Sequence, residues 1–271
     1  DDPLGDWFQV FFHDPLYGSS LHDFPMLGVG PNGIYIGVQL FPPGQKLLLW
    51  AFEKSPLTGS LPRLGAVTLW RNEIFDTQFV PIQSLGPLGA DLIVGLHEAS
   101  GLFQFHVVEG TPALPVLRLL GVVQGPAASS GPRPAPAPGI TRPVELNSGF
   151  YLSSVPVYRN RTVWLALRVD VNSRNAVRWM RVSPFSLPPR LVDAGTIADP
   201  SMHYYFPSLS VNADGDMVMA FNGSDFETFV GAYYTGRRGS DPSGASAPPT
   251  LLKAGEAAFG TSAAVTRRWG D

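Results

Sequence analysis

Residues 23–40, DFPMLGVGPNGIYIGVQL, alternate apolar and polar or small side chains through two short runs on either side of a turn. Alternation with a period of two is typical of a β-strand that buries one face. The turn, Pro31-Asn32-Gly33, contains residues that accept the backbone angles of a tight hairpin. Because residues 34–40 are rich in β-branched and aromatic side chains, we predict a strand, a turn and a second strand.

The same pattern continues along the chain in four groups of predicted strands. These strands cover residues 24–29, 34–40, 46–52 and 66–70, then 79–85, 91–97, 102–108 and 115–123, then 150–158, 162–171, 176–182 and 190–197, and finally 204–211, 216–221, 228–234 and 250–254. No stretch has a sustained helical period. Each group therefore predicts a four-stranded antiparallel meander.

Part of the first group recurs 182 residues later, where residues 206–221 read FPSLSVNADGDMVMAF. This offset places Phe24-Pro25 on Phe206-Pro207 and Gly33 on Gly215. The first strands of the four groups begin near residues 24, 79, 150 and 206. Four-stranded units at such intervals are typical of the blades of a β-propeller, in which equivalent places need similar residues.

The longest interval contains an insert, GPAASSGPRPAPAPGITRP, at residues 125–143. A Pro-, Ala- and Ser-rich segment of this kind predicts a mobile loop that buries no apolar surface. The apolar run at residues 7–12 lacks a blade of its own, and residues 268–271, RWGD, are similar to the start of another inner strand.

We therefore predict an all-β, single-domain propeller of five blades. The N-terminal strand would complete the last blade and remove an exposed sheet edge, and that blade would continue beyond residue 271. The predicted blades cover residues 22–72, 78–124, 144–198 and 203–255, with a fifth that begins at 266 and includes 7–12.

Composition narrows the possible partners of this 271-residue chain. It is 44% apolar and 15% charged, with a net charge of −3 and no basic run, so a nucleic-acid partner is not expected. Its longest apolar runs, of about ten residues, are too short to span a bilayer. Cysteine is absent, which excludes disulfides, thiolate metal ligands and a cysteine nucleophile.

Secretion is the expected localisation. The chain begins Asp-Asp rather than with Met, and we interpret it as a mature or trimmed product. Two glycosylation motifs, at Asn160 and Asn222, lie beside predicted turns, where a glycan would be accommodated.

Three motifs connect the chain with a known group of proteins: HDFP followed by NGIYI, YFPSLSVNADGD at residues 205–216, and RWGD. On these motifs it resembles uncharacterised, secreted β-propeller proteins that are broadly sialidase-like in fold. The resemblance implies the architecture along nearly the whole chain and implies no activity. Sialidase activity itself is not expected, because the chain lacks an arginine cluster and the S-x-D-x-G-x-x-W turns of true sialidases.

Three carboxylates are candidates for catalysis. Asp23 and Asp271 precede the first and the predicted fifth inner strands, and Glu145 precedes the third. Two such groups about 5–10 Å apart would act on a glycan as acid and as base or nucleophile. Alternatively, these acids accept backbone hydrogen bonds from a neighbouring blade and fasten the ring.

The sequence also contains one candidate metal site and two candidate sugar-binding aromatic residues. Asn212, Asp214 and Asp216 alternate in a spacing that suits Ca²⁺, although a plain hairpin explains the run equally and no distal Glu completes a calcium loop. No resident cofactor is predicted apart from this calcium alternative. Tyr204 and Trp269, beside the starts of inner strands, are the aromatic residues predicted to stack on a sugar.

Two functions follow. The leading hypothesis is a non-enzymatic extracellular module that binds a protein or glycan surface and takes part in an assembly. The alternative is a glycan-cleaving enzyme that uses Asp23 with Glu145 or Asp271. An enzyme requires an open acidic pocket at the axis with one carboxylate of raised pKa, whereas a module requires only a filled channel.

Overall fold

A computed structural model describes residue 9 and residues 21–41, 46–72, 77–97, 100–111, 114–125, 135–139 and 152–258. Four small antiparallel sheets, arranged in a ring as the blades of a propeller, account for most of them. The all-β prediction is therefore confirmed. The one α-helix in these ranges, α1 (Lys54–Leu57), is a single turn, and no described helix is long and apolar enough to cross a membrane.

Each of the four blades is a meander whose strands follow one another across the sheet. Blade 1 contains β1 (Leu21–Val29), β2 (Gly33–Phe41), β3 (Lys46–Glu53) and β4 (Val67–Asn72). Blade 2 contains β5 (Thr77–Pro81), β7 (Asp91–His97), β8 (Leu102–Thr111) and β9 (Leu114–Gln124). Blade 3 contains β10 (Val157–Arg159), β11 (Thr162–Val171), β12 (Arg174–Ser183) and β13 (Arg190–Ile197), and blade 4 contains β14 (His203–Val211), β15 (Met217–Ser224), β16 (Gly231–Arg237) and β17 (Thr250–Lys253).

The predicted strand 79–85 is divided between two blades, which corrects the sequence-based boundary. β5 ends at Pro81, and the two-residue strand β6 (Gln83–Ser84) pairs in parallel with β10 of blade 3. Backbone hydrogen bonds from Gln83 N to Pro156 O (2.8 Å) and from Leu85 N to Tyr158 O (3.0 Å) continue this pairing. A single inner segment thus links blades 2 and 3, which alternation of side chains does not reveal.

The repeated Phe-Pro phrase takes the same unusual conformation in blades 1 and 4. Phe24 and Phe206 have φ of 52° and 50°, and each lies at a β-bulge in the first strand of its blade. A bulky side chain rarely adopts the left-handed region, so the two positions share a specific backbone requirement. The sequence repeat therefore marks a structural repeat.

The apolar cores lie between blades, because alternate residues of a strand point to opposite faces of its sheet. Leu165 of β11 packs towards blade 2 in a cluster with Phe105, whereas Trp164 packs towards blade 4 in a cluster with Phe221. The junction of blades 1 and 2 has a smaller cluster that includes Tyr35 and Ile93.

The insert differs from its prediction where it is described. Ala135 and Ala137 are 0% and 7% exposed and form one buried cluster with Tyr205 and Val230 of blade 4. The expectation that the insert buries no apolar surface is thus wrong for residues 135–139. Alanine methyl groups between prolines are small enough to fill a groove that the composition of the insert does not predict. The segments assigned to a fifth blade, 7–12 and 266–271, lie outside the described residues apart from residue 9.

Candidate functional site

A cleft opens between blades 3 and 4, at the end of the ring where β14 begins. We call this end the upper face. The cleft has a volume of about 510 Å³, within the range of small-molecule sites. It is lined by Ser173, Arg174, Pro200, Ser201, His203, Asp225, Phe226 and Glu227. Most of these side chains are polar or charged, so the cleft suits a ligand that forms hydrogen bonds.

Three tight loops shape this cleft. The β11–β12 turn places Ser173 and Arg174 at its edge, with Asn172 and Ser173 both at positive φ. In the β13–β14 connection, Asp199 Oδ1 accepts hydrogen bonds from Ser201 N (2.8 Å) and Met202 N (3.0 Å). Such Asp-capped turns fix a backbone without help from a sheet.

The third loop, residues 225–230, joins β15 to β16; we call it the cleft loop. Asp225 Oδ1 accepts hydrogen bonds from Glu227 N (2.9 Å) and Thr228 N (2.7 Å). This arrangement leaves Phe226 projecting, 83% exposed, at the rim of the cleft. An aromatic ring so exposed beside polar side chains is available for stacking.

The electrostatics of the cleft are mixed. Burial acts to raise the pKa of Asp199, but hydrogen bonds from Met202 and Ser201, with the nearby Arg174 charge, outweigh it and lower that pKa. Asp199 is therefore ionised at neutral pH. The lining itself has one guanidinium, Arg174, and two carboxylates, Asp225 and Glu227.

Beneath the cleft lies a buried polar group. Arg168 is 7% exposed and donates from Nη1 to Asn175 Oδ1 at 3.4 Å, and Asn175 N in turn donates to His203 Nδ1 at 3.4 Å. These are long hydrogen bonds and correspondingly weak. They connect a buried guanidinium to the imidazole that lines the cleft.

The predicted catalytic residues are not assembled among the described residues. Asp23 lies in β1 and accepts a hydrogen bond at Oδ1 from Phe24 N (2.8 Å), at the bulge of blade 1. It is not among the residues that line the cleft. Glu145 and Asp271 lie outside the described residues.

Tyr204 has a different place from the one expected for a sugar-stacking residue. It is 4% exposed, and its ring meets those of Phe221 and Tyr233 edge to face, with centroids 5.0 and 5.7 Å away. Burial, with the charges of Asp199 and Asp225, raises the pKa of Tyr204 to about 12. In this packing its ring has no face free for a sugar, because the side chain fills the space between blades 3 and 4.

Phe226 is an exposed aromatic residue of the cleft that the sequence analysis missed. The other aromatic residue predicted to stack on a sugar, Trp269, lies outside the described residues. In the sequence, Phe226 stands alone as an aromatic residue within the polar segment SDFET at residues 224–228, and this pattern could have indicated an exposed ring.

The predicted calcium ligands form a hairpin. Asn212 Oδ1 accepts a hydrogen bond from Asp216 N (2.8 Å), Asn212 Nδ2 donates to Asp216 Oδ2 (3.0 Å), and Gly215 occupies the left-handed region at φ 84°. The hydrogen bond from Gly239 N to Asp216 Oδ1 lowers the pKa of Asp216. The run thus forms the hairpin between β14 and β15, with Asp214 exposed at its tip, and calcium binding stays a prediction.

Both glycosylation motifs are described, in different settings. Asn160 is exposed in the β10–β11 turn, and its Nδ2 donates to Ala213 O of blade 4 at 2.8 Å. Asn222 lies within β15 rather than beside a turn, and its Nδ2 donates to Gly231 O at 3.4 Å. Of the two, Asn160 has the more accessible side chain.

A second cavity, of about 180 Å³, lies between blades 1 and 2 at the opposite, lower face. Its most unusual residue is Asp91, which is 1% exposed and accepts hydrogen bonds from Tyr35 Oη (2.6 Å) and Asn32 N (3.1 Å). Burial raises the pKa of Asp91 in spite of these donors. Gly30 permits this approach, because a Cβ there would lie 1.9 Å from Asp91 Oδ1. The sequence did not single out Asp91, because an acid at a strand start is ordinary until its burial is known.

The chain matches no protein-family model and no curated protein sequence. The propeller architecture therefore stands on the structure, and the sialidase-like resemblance gains no support from these comparisons. Among the described residues, no group of three or more His, Asp or Glu side chains is arranged to hold a metal ion.

Proposed function

We propose that this protein is a β-propeller binding module that recognises a neutral glycan in the cleft between blades 3 and 4. The main support for this proposal is the exposure of Phe226, whose aromatic side chain is 83% exposed at the rim of a polar cleft. Sugars present both hydroxyl groups and an apolar face of C–H groups. A site that combines an exposed ring with hydrogen-bonding side chains complements both.

The charges favour a neutral sugar over an acidic one. Asp225 and Glu227 supply carboxylate oxygens that accept hydrogen bonds from sugar hydroxyls, and Arg174 supplies donors. An anionic sugar would meet two carboxylates against one guanidinium, and the repulsion would oppose binding. The volume of about 510 Å³ suits one or two sugar rings.

The test is titration calorimetry with a panel of neutral disaccharides, namely maltose, cellobiose, lactose and chitobiose. We expect at least one to bind, and we expect Phe226→Ala to weaken that binding roughly threefold to tenfold through loss of ring contacts. Phe185→Ala is the matched control, because Phe185 is a 41% exposed phenylalanine that does not line the cleft. Failure of all four sugars to bind, or binding that Phe226→Ala leaves unchanged, would refute the proposal.

The glycan-cleaving alternative, with Asp23, Glu145 and Asp271, stays a prediction. The hydrogen bond from Phe24 N to Asp23 favours a role for Asp23 in holding the bulge of β1. Release of reducing sugar by the wild type but not by Asp23→Asn would restore the enzyme hypothesis. Extracellular localisation, glycan attachment at Asn160 or Asn222, calcium binding and a protein partner also stay predictions.

The fifth blade is likewise a proposal. Blade 1 directs Val38 and Trp50 away from blade 2, and blade 4 directs Val218 and Tyr234, 56% and 39% exposed, away from blade 3. The exposed apolar positions of blade 4 suit a further blade, whereas Val38 and Trp50 are only 8% and 7% exposed and would lie behind its contact face. A crystal structure in which blades 1 and 4 pack directly against each other would rule this out.

A further inference from the structure

We infer that residues 135–139 of the Pro-rich insert, here called the clamp segment, hold the cleft loop in place and thereby position Phe226. The inference rests on the proposed function for its link to ligand binding. Its structural half, that the clamp segment orders the cleft loop, stands independently of any ligand.

The clamp segment packs directly against blade 4. Ala135 and Ala137 share a buried cluster with Tyr205 of β14 and Val230, the last residue of the cleft loop. All four side chains are at most 9% exposed, and Phe206 packs against their edge. The clamp segment comes from the connection between blades 2 and 3, so this contact brings a distant part of the chain onto blade 4.

The two ends of the cleft loop are held by different interactions. Its beginning is fixed internally, because Asp225 Oδ1 accepts hydrogen bonds from Glu227 N and Thr228 N. Its end leads into β16, where Gly231 pairs with Gly223 of β15, and the Val230 side chain is held there by packing. A Cβ on Gly255 would lie 2.5 Å from Val230 O, and the clamp segment covers the Val230 side chain.

The cleft and the clamp segment contact opposite sides of the cleft loop. Asp225, Phe226 and Glu227 face the cleft towards blade 3, whereas Val230 packs with Tyr205, on the other side of β14 from Tyr204. Without the packing on Val230, the end of this six-residue loop keeps only its pairing at the base of the hairpin, and backbone entropy then favours other conformations. The clamp segment is therefore a positioning element for Phe226, although it does not line the cleft.

The experiment compares Ala137→Glu with Ala247→Glu. Ala247 is an exposed alanine of blade 4, so the control makes the same chemical change without entering the cluster. Hydrogen exchange of peptides that span residues 225–230 is measured first. We expect faster exchange in Ala137→Glu and unchanged exchange in Ala247→Glu, because a carboxylate does not tolerate the buried position. Unchanged exchange in Ala137→Glu would overturn the inference.

Val230→Ala provides the second variant, since it removes only two buried methyl groups and leaves the insert intact. It decides the question if Ala137→Glu does not fold, and faster exchange of the cleft loop is again the supporting result.

In both variants, affinity for the disaccharide bound by the wild type should fall roughly threefold to tenfold, because a loop that is no longer held must be ordered on binding. Faster exchange with unchanged affinity would overturn the positioning role. If the wild type binds none of the four sugars, the proposed function fails while the exchange result still decides the clamp.

Discussion

Asp91 and Asp193 are both carboxylates that join one blade to the next in the lower half of the ring, yet their chemistry is opposite. Asp91 of blade 2 accepts hydrogen bonds from Tyr35 Oη and Asn32 N of blade 1, and burial raises its pKa. Asp193 of blade 3 accepts a hydrogen bond from Arg237 Nη1 of blade 4 at 2.8 Å.

At Asp193, burial also acts to raise the pKa. The hydrogen bonds from Ser243 Oγ (2.7 Å) and Gly244 N (2.9 Å), with the attraction of Arg237, outweigh burial and lower that pKa. Arg237 has a side chain only 3% exposed and lies 4.5 Å from the ring of Trp179. An aspartate at a blade junction is therefore a stable anion when the next blade brings a cation into direct contact as well as neutral donors.

The largest effect on stability is expected when the cation at Asp193 is removed. Arg237→Met keeps most of the side-chain volume but leaves Asp193 with neutral donors and no cation, so we expect a loss of about 3–5 kcal/mol in the free energy of unfolding. Urea unfolding at pH 7 measures it. Arg238→Met is the control, because Arg238 is the exposed neighbour on the same strand end. A loss below about 1 kcal/mol would show that the ion pair does not hold this junction.

The two aspartates should make opposite contributions to the pH dependence of stability. The pKa of Asp91 is raised from 3.8, so its contribution is fully present below about that pH and is lost as the pH rises through the raised pKa. The pKa of Asp193 is lowered from 3.8, so its contribution is present above that pH and is lost as the pH falls. A tenfold difference between the folded and unfolded acid dissociation constants of either group corresponds to about 1.4 kcal/mol of stability.

The measurement is urea unfolding of the wild type, Asp91→Asn and Asp193→Asn between pH 3 and pH 7. Relative to Asp91→Asn, the wild type should become less stable as the pH rises. Relative to Asp193→Asn, it should become more stable over the same range. Two slopes of the same sign would contradict the assignment.

The smallest effect is expected for an ion pair that water surrounds. Arg118 and Glu109 lie 2.7 Å apart on blade 2 with side chains 51% and 47% exposed. We expect Arg118→Gln to change the free energy of unfolding by less than about 1 kcal/mol and to show almost no residual effect in about 1 M salt. A loss comparable with that of Arg237→Met would mean that burial does not set the strength of these pairs.

Alternation of side chains predicted most of the architecture. Strands such as β2, β7 and β11 begin and end within about one residue of their predicted bounds, and the Phe-Pro repeat correctly marked equivalent inner strands. Local patterns succeed here because each blade buries its side chains on both faces by the same period of two. The division of the segment 79–85 between two blades escaped prediction, because parallel pairing with β10 depends on a partner some seventy residues away.

The candidate site was less accessible to prediction. Tyr204 was selected for its aromatic ring, yet the packing of Phe221 and Tyr233 covers that ring, while Phe226 in the loop after the next strand is exposed. Sequence patterns do not distinguish a ring that fills a junction from one that projects over a cleft. That distinction depends on which loops approach each other around the ring.

The all-β class, the four meanders and the hairpin of Asn212 and Asp216 follow from local sequence patterns, because hydrogen bonding and turn preferences act over a few neighbouring residues. Three properties depend on tertiary structure. The pKa of Asp91 is raised while that of Asp193 is lowered. The alanines of the clamp segment pack on the cleft loop, and a polar cleft forms between blades 3 and 4. These properties arise from desolvation and from contacts between residues far apart in the chain, and only the packing of one blade against the next creates either of them.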